Sequence, residues 1–292
     1  MTTPESEEPN TLIMNPLIIK VGGGAGVDLA AVTADIAHLV SQGQQIVLVH
    51  GTSAAADALA EQAGIPVRQL QSPSGHVSRY TNPEMLDIFV AAAAGQVNKR
   101  LVSQLQSLGC NAVGLSGVDG RLLQAQRKKA VRAIENGRQR VVRDDYTGKL
   151  QAANGNLLSL LLDEGYTPVI APIALSEASE PLNVDGDRAA ALVASTLGAE
   201  ALIILSNVPG LLADFPDESS LVRHVPPAQT DRAMDMAQGR MKKKVLAAQE
   251  ALTGGVSRVI LADSRKTSPI HAALAGAGTW LGSAPPPVSN QI

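Results

Sequence analysis

The chain is 292 residues long and 45% hydrophobic, enough to bury one large core or two lobes. Only 2% of its residues are aromatic and its formal charge is −3, which excludes a base-stacking nucleic-acid platform and assigns any affinity for an acidic partner to a local basic patch. Cys110 is the single cysteine, so an internal disulfide and a cysteine-cluster metal site are excluded. Its apolar neighbours make it a buried structural thiol. The polar, acidic start lacks the pattern of a signal peptide, and residues 1–15 are expected to form a disordered tail. No apolar run reaches membrane-spanning length, and a cytoplasmic protein without a membrane or nucleic-acid partner is expected.

Leu17 to Val21 is an apolar run with Lys20 near its end, and it opens into Gly22-Gly23-Gly24-Ala25-Gly26. It predicts a buried strand delivering a cation and bare backbone to a polyanion, since glycine N–H groups and a helix N-terminus can both approach phosphate oxygens. The spacing matches neither common glycine-rich phosphate fingerprint, and an ordinary strand-to-helix turn would use the same glycines. Leu29, Val32, Ile36, Leu39 and Val40 then recur at helical spacing and stop at Gln42-Gly43. Ile46 to His50 predicts a second strand. Gly51-Thr52-Ser53 forms a second small-residue turn, with Ser53 placed to cap an alanine-rich helix. Two such units in tandem predict parallel strands whose carboxyl ends face one crevice. His50, at a strand end, is assigned no catalytic role.

Residues 66–83 are expected as a polar loop carrying Arg79, followed by one long helix from Glu84 to about Leu108 with Asn98-Lys99-Arg100 on its polar face. A strand is expected from Asn111 to Leu115. The segment from Arg121 to Lys149 is rich in arginine and lysine, with Glu135, Asp144 and Asp145 as its only acids. Val131 to Glu135 and Arg138 to Val142 flank Asn136-Gly137, which predicts a β-hairpin with one cationic face. A solvated edge hairpin guarded from aggregation by its charges would have the same composition. A helix over Ala152 to Glu164 and a strand over Pro168 to Pro172 follow. Pro181 to Asp187 leads into a helix from Arg188 to Leu197, and Leu202 to Leu205 forms a strand. A helix from Gly239 to about Leu252, a strand from Ser257 to Ala262, a short helix from Ser268 and a strand from Thr279 to Leu281 complete the pattern. Residues 283–292 are expected to be a disordered end.

Phosphoryl transfer needs aligned reactants and neutralised charge more than covalent help. Lys20 with Gly22, Gly23 and Gly24 could hold a migrating phosphoryl group, and Gly51 and Thr52 could supply further N–H donors. Asp187 could orient lysines, hold a metal ion or simply cap its helix. Helix positions about 100° apart let only one of Lys242, Lys243 and Lys244 reach a buried site. Lys244, which shares a face with Met241 and Ala248, is the best placed, although a solvated helix face accounts for all three. Asn183, Asp185 and Asp187 open like a calcium loop without its downstream glutamate, and no metal-ligand cluster is legible.

Taken in order, Lys20 to Gly24, His50 to Ser53, Ser78 to Thr81, Ser116 to Gly120, Asn183 to Asp187, Leu205 to Gly210 and Gly239 to Lys244 resemble the motifs of the amino acid kinase family. Within it the chain is most similar to the acetylglutamate kinase branch, and there to its lysine-pathway members, through Ser74 to Thr81, Gln238 to Val245 and the basic hairpin. The resemblance implies a three-layer α-β-α sandwich of the carbamate kinase type with a mainly parallel central sheet. It implies an N-terminal lobe, 16–175, for acyl substrate, carrier and dimer contact, and a C-terminal lobe, 176–282, for ATP with Mg2+. The implied reaction phosphorylates the side-chain carboxylate of aminoadipate held by its amino group on a small acidic carrier protein, with the glutamate-loaded carrier as a second acceptor.

Carried over by motif, Lys20 and Lys244 would stabilise the transferred phosphoryl while Asp187 holds both lysines. Gly23, Gly24, Gly51 and the Thr52 amide would bind phosphate oxygens. Arg79 would grip the substrate α-carboxylate, and Asn183 would hydrogen-bond the substrate nearby. Arg132, Arg138, Arg140 and Arg143 would meet the acidic carrier. Thr52 stands where the family usually has a second glycine, and a β-branched residue disfavours positive φ. Two readings compete. A plain N-acetylglutamate kinase leaves the basic hairpin without a purpose, and a non-catalytic carrier-binding protein has no need of a lysine pair held by a carboxylate.

Overall fold

The computed structural model describes residues 15–73, 77–135 and 138–286. All five residues of Leu17–Val21 (β1) are buried, as expected of a strand central to a sheet covered on both faces. Leu29–Ser41 (α1) follows, with the Asp28 carboxylate accepting the Ala31 amide at 3.0 Å as an N-cap. Next come Ile46–His50 (β2), Ser53–Gln62 (α2), Gln69–Gln71 (β3), Val77–Arg79 (β4) and Pro83–Val90 (α3). A π-helical stretch, Ala91–Val97, joins α3 to Asn98–Ser107 (α4). The middle of the chain holds Ala112–Ser116 (β5), Leu123–Arg127 (β6), Val131–Glu135 (β7), Arg138–Val142 (β8), Gly148–Ala153 (β9) and Gly155–Asp163 (α5). Thr167–Ala171 (β10), Ile173–Leu175 (β11), Pro181–Asn183 (β12), Gly186–Thr196 (α6) and Ala201–Ser206 (β13) come next. His224–Val225 (β14), Thr230–Met236 (α7), Met241–Thr253 (α8), Arg258–Asp263 (β15), Pro269–Leu274 (α9) and Thr279–Gly282 (β16) end it.

The central sheet has eight strands in the order β14-β16-β15-β13-β1-β2-β10-β5, parallel except where β15 meets β16. Its two faces read directly from strand alternation. Ile18, Val47, Val49, Leu202 and Ile204 pack with α5, α6 and α8, whereas Leu17, Ile19, Val21, Leu48 and Ile203 pack with α1, α4 and α9. The result is the expected three-layer sandwich with a mainly parallel sheet. Two four-stranded sheets flank it, one in the order β12-β11-β6-β9 and the other β4-β3-β7-β8.

Several local expectations differ from the structure. Residues 66–83 are no simple loop, because β7 offers a partner edge on which β3 and β4 form. Ala152 and Ala153 extend β9, and Asn154 caps α5 by accepting the Leu157 amide at 3.2 Å. Thr52, not Ser53, precedes α2, and its side chain makes no capping bond. Asn98 is buried rather than on a polar face, and its amide donates to the Val169 carbonyl at 2.8 Å.

The hairpin strands pair from Val131 opposite Val142 to Glu135 opposite Arg138, while their expected turn, Asn136-Gly137, lies outside the described residues. Its arginines do not share one face. Opposed residues share a face and neighbours alternate, so Arg138 and Arg140 lie on the side of Ala133, and Arg132 lies on the other with Ile134 and Val141. The expected tails fall on 1–14 and 287–292, outside the described residues, and 283–286 form no helix or strand.

Candidate active site

Lys20 has the parity of Ile18 on β1, so its side chain enters the layer occupied by α6 and α8. There the Lys20 ammonium meets the Asp187 carboxylate at 2.5 Å, and the Lys244 ammonium meets the same carboxylate at 3.1 Å. Asp187 sits in the first turn of α6 and is 6% exposed, so a solvated surface pair is ruled out. Burial by itself would push the Asp187 carboxyl up, but the two neighbouring ammonium groups outweigh it and hold the carboxyl well below the usual range. Burial pushes the Lys244 ammonium down, Asp187 pulls it up, and the charge of Lys20 adds to the lowering. Two lysines sharing one carboxylate leave an excess of positive charge in a poorly solvated place, a site built to receive an anion. Helix capping falls to Asp185, whose carboxylate accepts the amides of Asp187 and Arg188. Lys243 stands 3.7 Å from that same carboxylate.

The anion's cradle is made by the register of β1 and β2. Val21 lies opposite His50, so the turns that follow the two strands emerge side by side. They touch through bare backbone: a Cβ on Gly23 would stand 2.1 Å from the Thr52 nitrogen, and one on Gly51 would stand 2.3 Å from the Gly23 nitrogen. Only glycine fits at either place. Among the described residues no protein oxygen accepts from the amides of Gly23, Gly24 or Thr52. The Gly51 amide is already committed to the Val21 carbonyl at 2.8 Å, so Gly51 serves by its missing side chain and not as a donor. Thr52 has φ −138°, so the turn does not ask this β-branched residue for the positive φ it disfavours. The hydroxyl of Thr52 is buried without a hydrogen-bond partner.

The acyl side is assembled from distant parts of the chain. Arg79 at the end of β4 pairs with Asp57 of α2 and donates to the Ser53 carbonyl at 3.2 Å, which sets the guanidinium beside the phosphate turns. The Asn183 side-chain amide donates to the Thr81 hydroxyl at 3.0 Å, and its backbone amide donates to the Tyr146 carbonyl at 2.9 Å. Asp145, buried, accepts the Thr81 amide at 2.9 Å and the Thr147 hydroxyl. Arg127 stacks 3.6 Å from the centre of the Tyr146 ring and pairs with Glu180 at 2.9 Å. Sequence reasoning found Arg79 and Asn183 but missed the Asp145 carboxylate that anchors Thr81 between them, because nothing local distinguishes that carboxylate from Asp144. Arg240 was also passed over. Its Nη1 lies 3.4 Å from where a Cβ on Gly24 would stand, and its place beside Gly239 was the available signal.

His50 has the parity of Leu48 and therefore faces away from Lys20. Its Nε2 stands 3.3 Å from the Asn98 amide nitrogen and its Nδ1 3.3 Å from the Gly51 carbonyl, an arrangement that suits the neutral ring with hydrogen on Nδ1. Burial brings its pKa down to about 4. Cys110 is buried, and burial pushes its thiol up. Among the described residues no cluster of three or more His, Cys, Asp or Glu side chains is placed to hold a metal ion, and no helix is long and apolar enough to cross a membrane.

Known proteins share both sequence and architecture with this chain. It is 50% identical over 267 residues to the LysW-aminoadipate kinase of Deinococcus radiodurans, covering 91% of each chain. It is 51% identical over 265 residues to the LysW-aminoadipate kinase of Thermus thermophilus, covering 90% of this chain and 98% of that one. Among solved structures, N-acetylglutamate synthase from Neisseria gonorrhoeae superposes with a TM-score of 0.73 at 24% identity, over 92% of this chain and 59% of that longer one, which bears on the fold alone. The model of the amino acid kinase family matches residues 15–263, a span that contains β1, the glycine turns, Asp187 and Lys244. With two relatives near half identity and that match across most of its length, the chain belongs to the amino acid kinase family.

Proposed function

We propose that the chain transfers the γ-phosphoryl group of ATP to the side-chain carboxylate of L-2-aminoadipate carried by its amino group on a small acidic protein, releasing ADP and an acyl phosphate. The glutamate-loaded carrier is the second acceptor. The observation that carries this reading is the buried Lys20–Asp187–Lys244 group, together with the glycine-turn amides that no oxygen among the described residues satisfies. The two relatives named above, which act on the same carrier-bound acid, support the choice of acceptor.

In this mechanism the amides of Gly23, Gly24 and Thr52 receive phosphate oxygens, and the short approach allowed by Gly23 and Gly51 keeps donors and phosphates in contact. Lys20 and Lys244 face the migrating phosphoryl from two elements, so charge that develops during transfer meets cations already in place. Asp187 fixes both lysines and takes no proton. The site fits a polyphosphate, whose own oxygens would hold Mg2+, and the ion would add to the neutralisation that Lys20 and Lys244 supply. Arg79 takes the α-carboxylate in its fork and Asn183 a neighbouring polar atom of the acceptor. The free side-chain carboxylate oxygen then attacks the γ-phosphorus in line, the bond to the β–γ bridging oxygen breaks, and ADP leaves. Residues 16–175 would bind acceptor and carrier and form a homodimer contact, residues 176–282 would bind ATP, and the enzyme would work in the cytoplasm. Arg132, Arg138, Arg140 and Arg143 would draw in the acidic carrier.

Incubation with MgATP and hydroxylamine traps acyl phosphates as hydroxamates. Hydroxamate formed from loaded carrier and not from N-acetylglutamate is the expected result. Turnover of N-acetylglutamate alone would make this an acetylglutamate kinase, and absence of product from every acceptor would leave a carrier-binding protein.

A further inference from the structure

Resting on that reading, we infer that the carrier seats on one particular face of the β4-β3-β7-β8 sheet, the face that holds Arg79, Val77, Ile134, Val141 and Arg132, and not on the face of Arg138 and Arg140. Register defines the two faces. Gln71 lies opposite both Val77 and Ile134, Arg132 lies opposite Val141, and Arg79 shares the parity of Val77. Leu70 and Ala133, of opposite parity, are 1% and 0% exposed, so that side is closed over β3 and the middle of β7, and only its end at Arg138 and Arg140 is exposed. On the open side Val77, Ile134 and Val141 are 42%, 37% and 50% exposed, and Val67 just before β3 adds another exposed apolar group. Isolated exposed valines need no explanation, but three exposed apolar residues brought to one sheet face by strand pairing do.

The chemistry of the acceptor selects the occupant. Its side-chain carboxylate must reach Lys20 and Lys244, and its α-carboxylate is held by Arg79. The amino group that bears the carrier is on the same carbon as that α-carboxylate. The carrier body must therefore lie beyond Arg79, along the sheet face that Arg79 belongs to. Exposed Arg132 on this face supplies a cation for an acidic partner, with apolar contact around it. Arg138 and Arg140, facing the other way, act at longer range as steering charges.

The test is direct binding of the purified acidic carrier protein, unloaded and aminoadipate-loaded, to the full chain by surface plasmon resonance at low and high salt. Ile134→Lys and Val141→Lys, singly and together, place a cation that an acidic partner tolerates electrostatically while removing the apolar contact. The double variant is expected to weaken carrier binding by about tenfold or more at both salt concentrations. The Kd for ATP, read on the same variants without carrier, should stay within about twofold. Arg138→Gln with Arg140→Gln should weaken binding only at low salt, because long-range attraction is screened. Wild-type binding by the double lysine variant would overturn the inference, as would a fall in its sedimentation coefficient from dimer to monomer, which would make the face a contact between copies. Binding is read without turnover, so a wild type that binds carrier but makes no hydroxamate from it would end the kinase reading while leaving the docking face standing.

Discussion

The floor of the crevice and the sheet beside it solve opposite problems. On the floor, Lys20, Asp187 and Lys244 are each fixed by a separate element, β1, α6 and α8, and all three are nearly dry. On the small sheet, short strands present Arg132, Ile134 and Val141 to solvent. The difference teaches where each kind of change should act. A substitution on the floor leaves a buried charge uncompensated and strikes kcat and stability together. One on the sheet alters encounter and docking and strikes KM for the carrier alone.

The largest expected effect comes from Asp187→Asn. Removing the carboxylate leaves two buried ammonium groups without a counter-charge, which should lower stability by about 3–5 kcal/mol and kcat by about a hundredfold to a thousandfold. Urea unfolding and hydroxamate rates measure the two. An equal loss of kcat from Arg138→Gln would break the comparison, since an exposed strand residue would then matter as much as the buried carboxylate.

His50 provides the next effect, and it sharpens the contrast between the floor's two faces. Its pKa falls from 6.5 to about 4 on folding because the ring is buried. Between those values the unfolded chain takes up a proton that the folded chain refuses, so stability falls as pH drops from above 6.5 and the loss is complete below about 4. The shift corresponds to about 3 kcal/mol. Unfolding free energies of the wild type and His50→Gln, compared at pH 7 and pH 4.5, should diverge in slope. Parallel curves would show that the ring titrates normally.

Arg138→Gln with Arg140→Gln should raise KM for loaded carrier by about two- to fivefold at low ionic strength and leave it unchanged near 0.5 M salt. A salt-independent rise would mean that these arginines touch the carrier. The smallest effect is expected at Thr52. Its hydroxyl is buried without a partner, so Thr52→Val should leave the nucleotide-free protein equally stable or raise its stability by up to about 1 kcal/mol. KM for ATP, measured on the same variant, reports whether bound phosphate uses that hydroxyl: a rise of several-fold would show that it does.

The central layer was legible from the residues themselves. Buried runs such as Ile46–His50 and Ala201–Ser206 are apolar on both sides of the strand, and the helices between them carry their apolar residues at helical spacing, so local chemistry alone determines a parallel sheet between helices. The glycines beside Lys20 and the face of α8 that bears Lys244 could be nominated from their own segments but not decided, because an ordinary strand-to-helix turn and a solvated helix face would use the same residues. What tertiary structure decided was everything that depends on a partner far along the chain. β3 and β4 exist because β7 gives them an edge, Asn98 is buried because β10 accepts its amide, and the hairpin arginines divide between two faces because register, not composition, sets which way each points. The Gly51 amide became unavailable when the ladder of β1 took it. Asp145 became a bridge when folding brought Thr81 and Thr147 to its two oxygens. Periodicity is a property of neighbours a few residues apart, whereas pairing, register and burial arise only when distant segments meet.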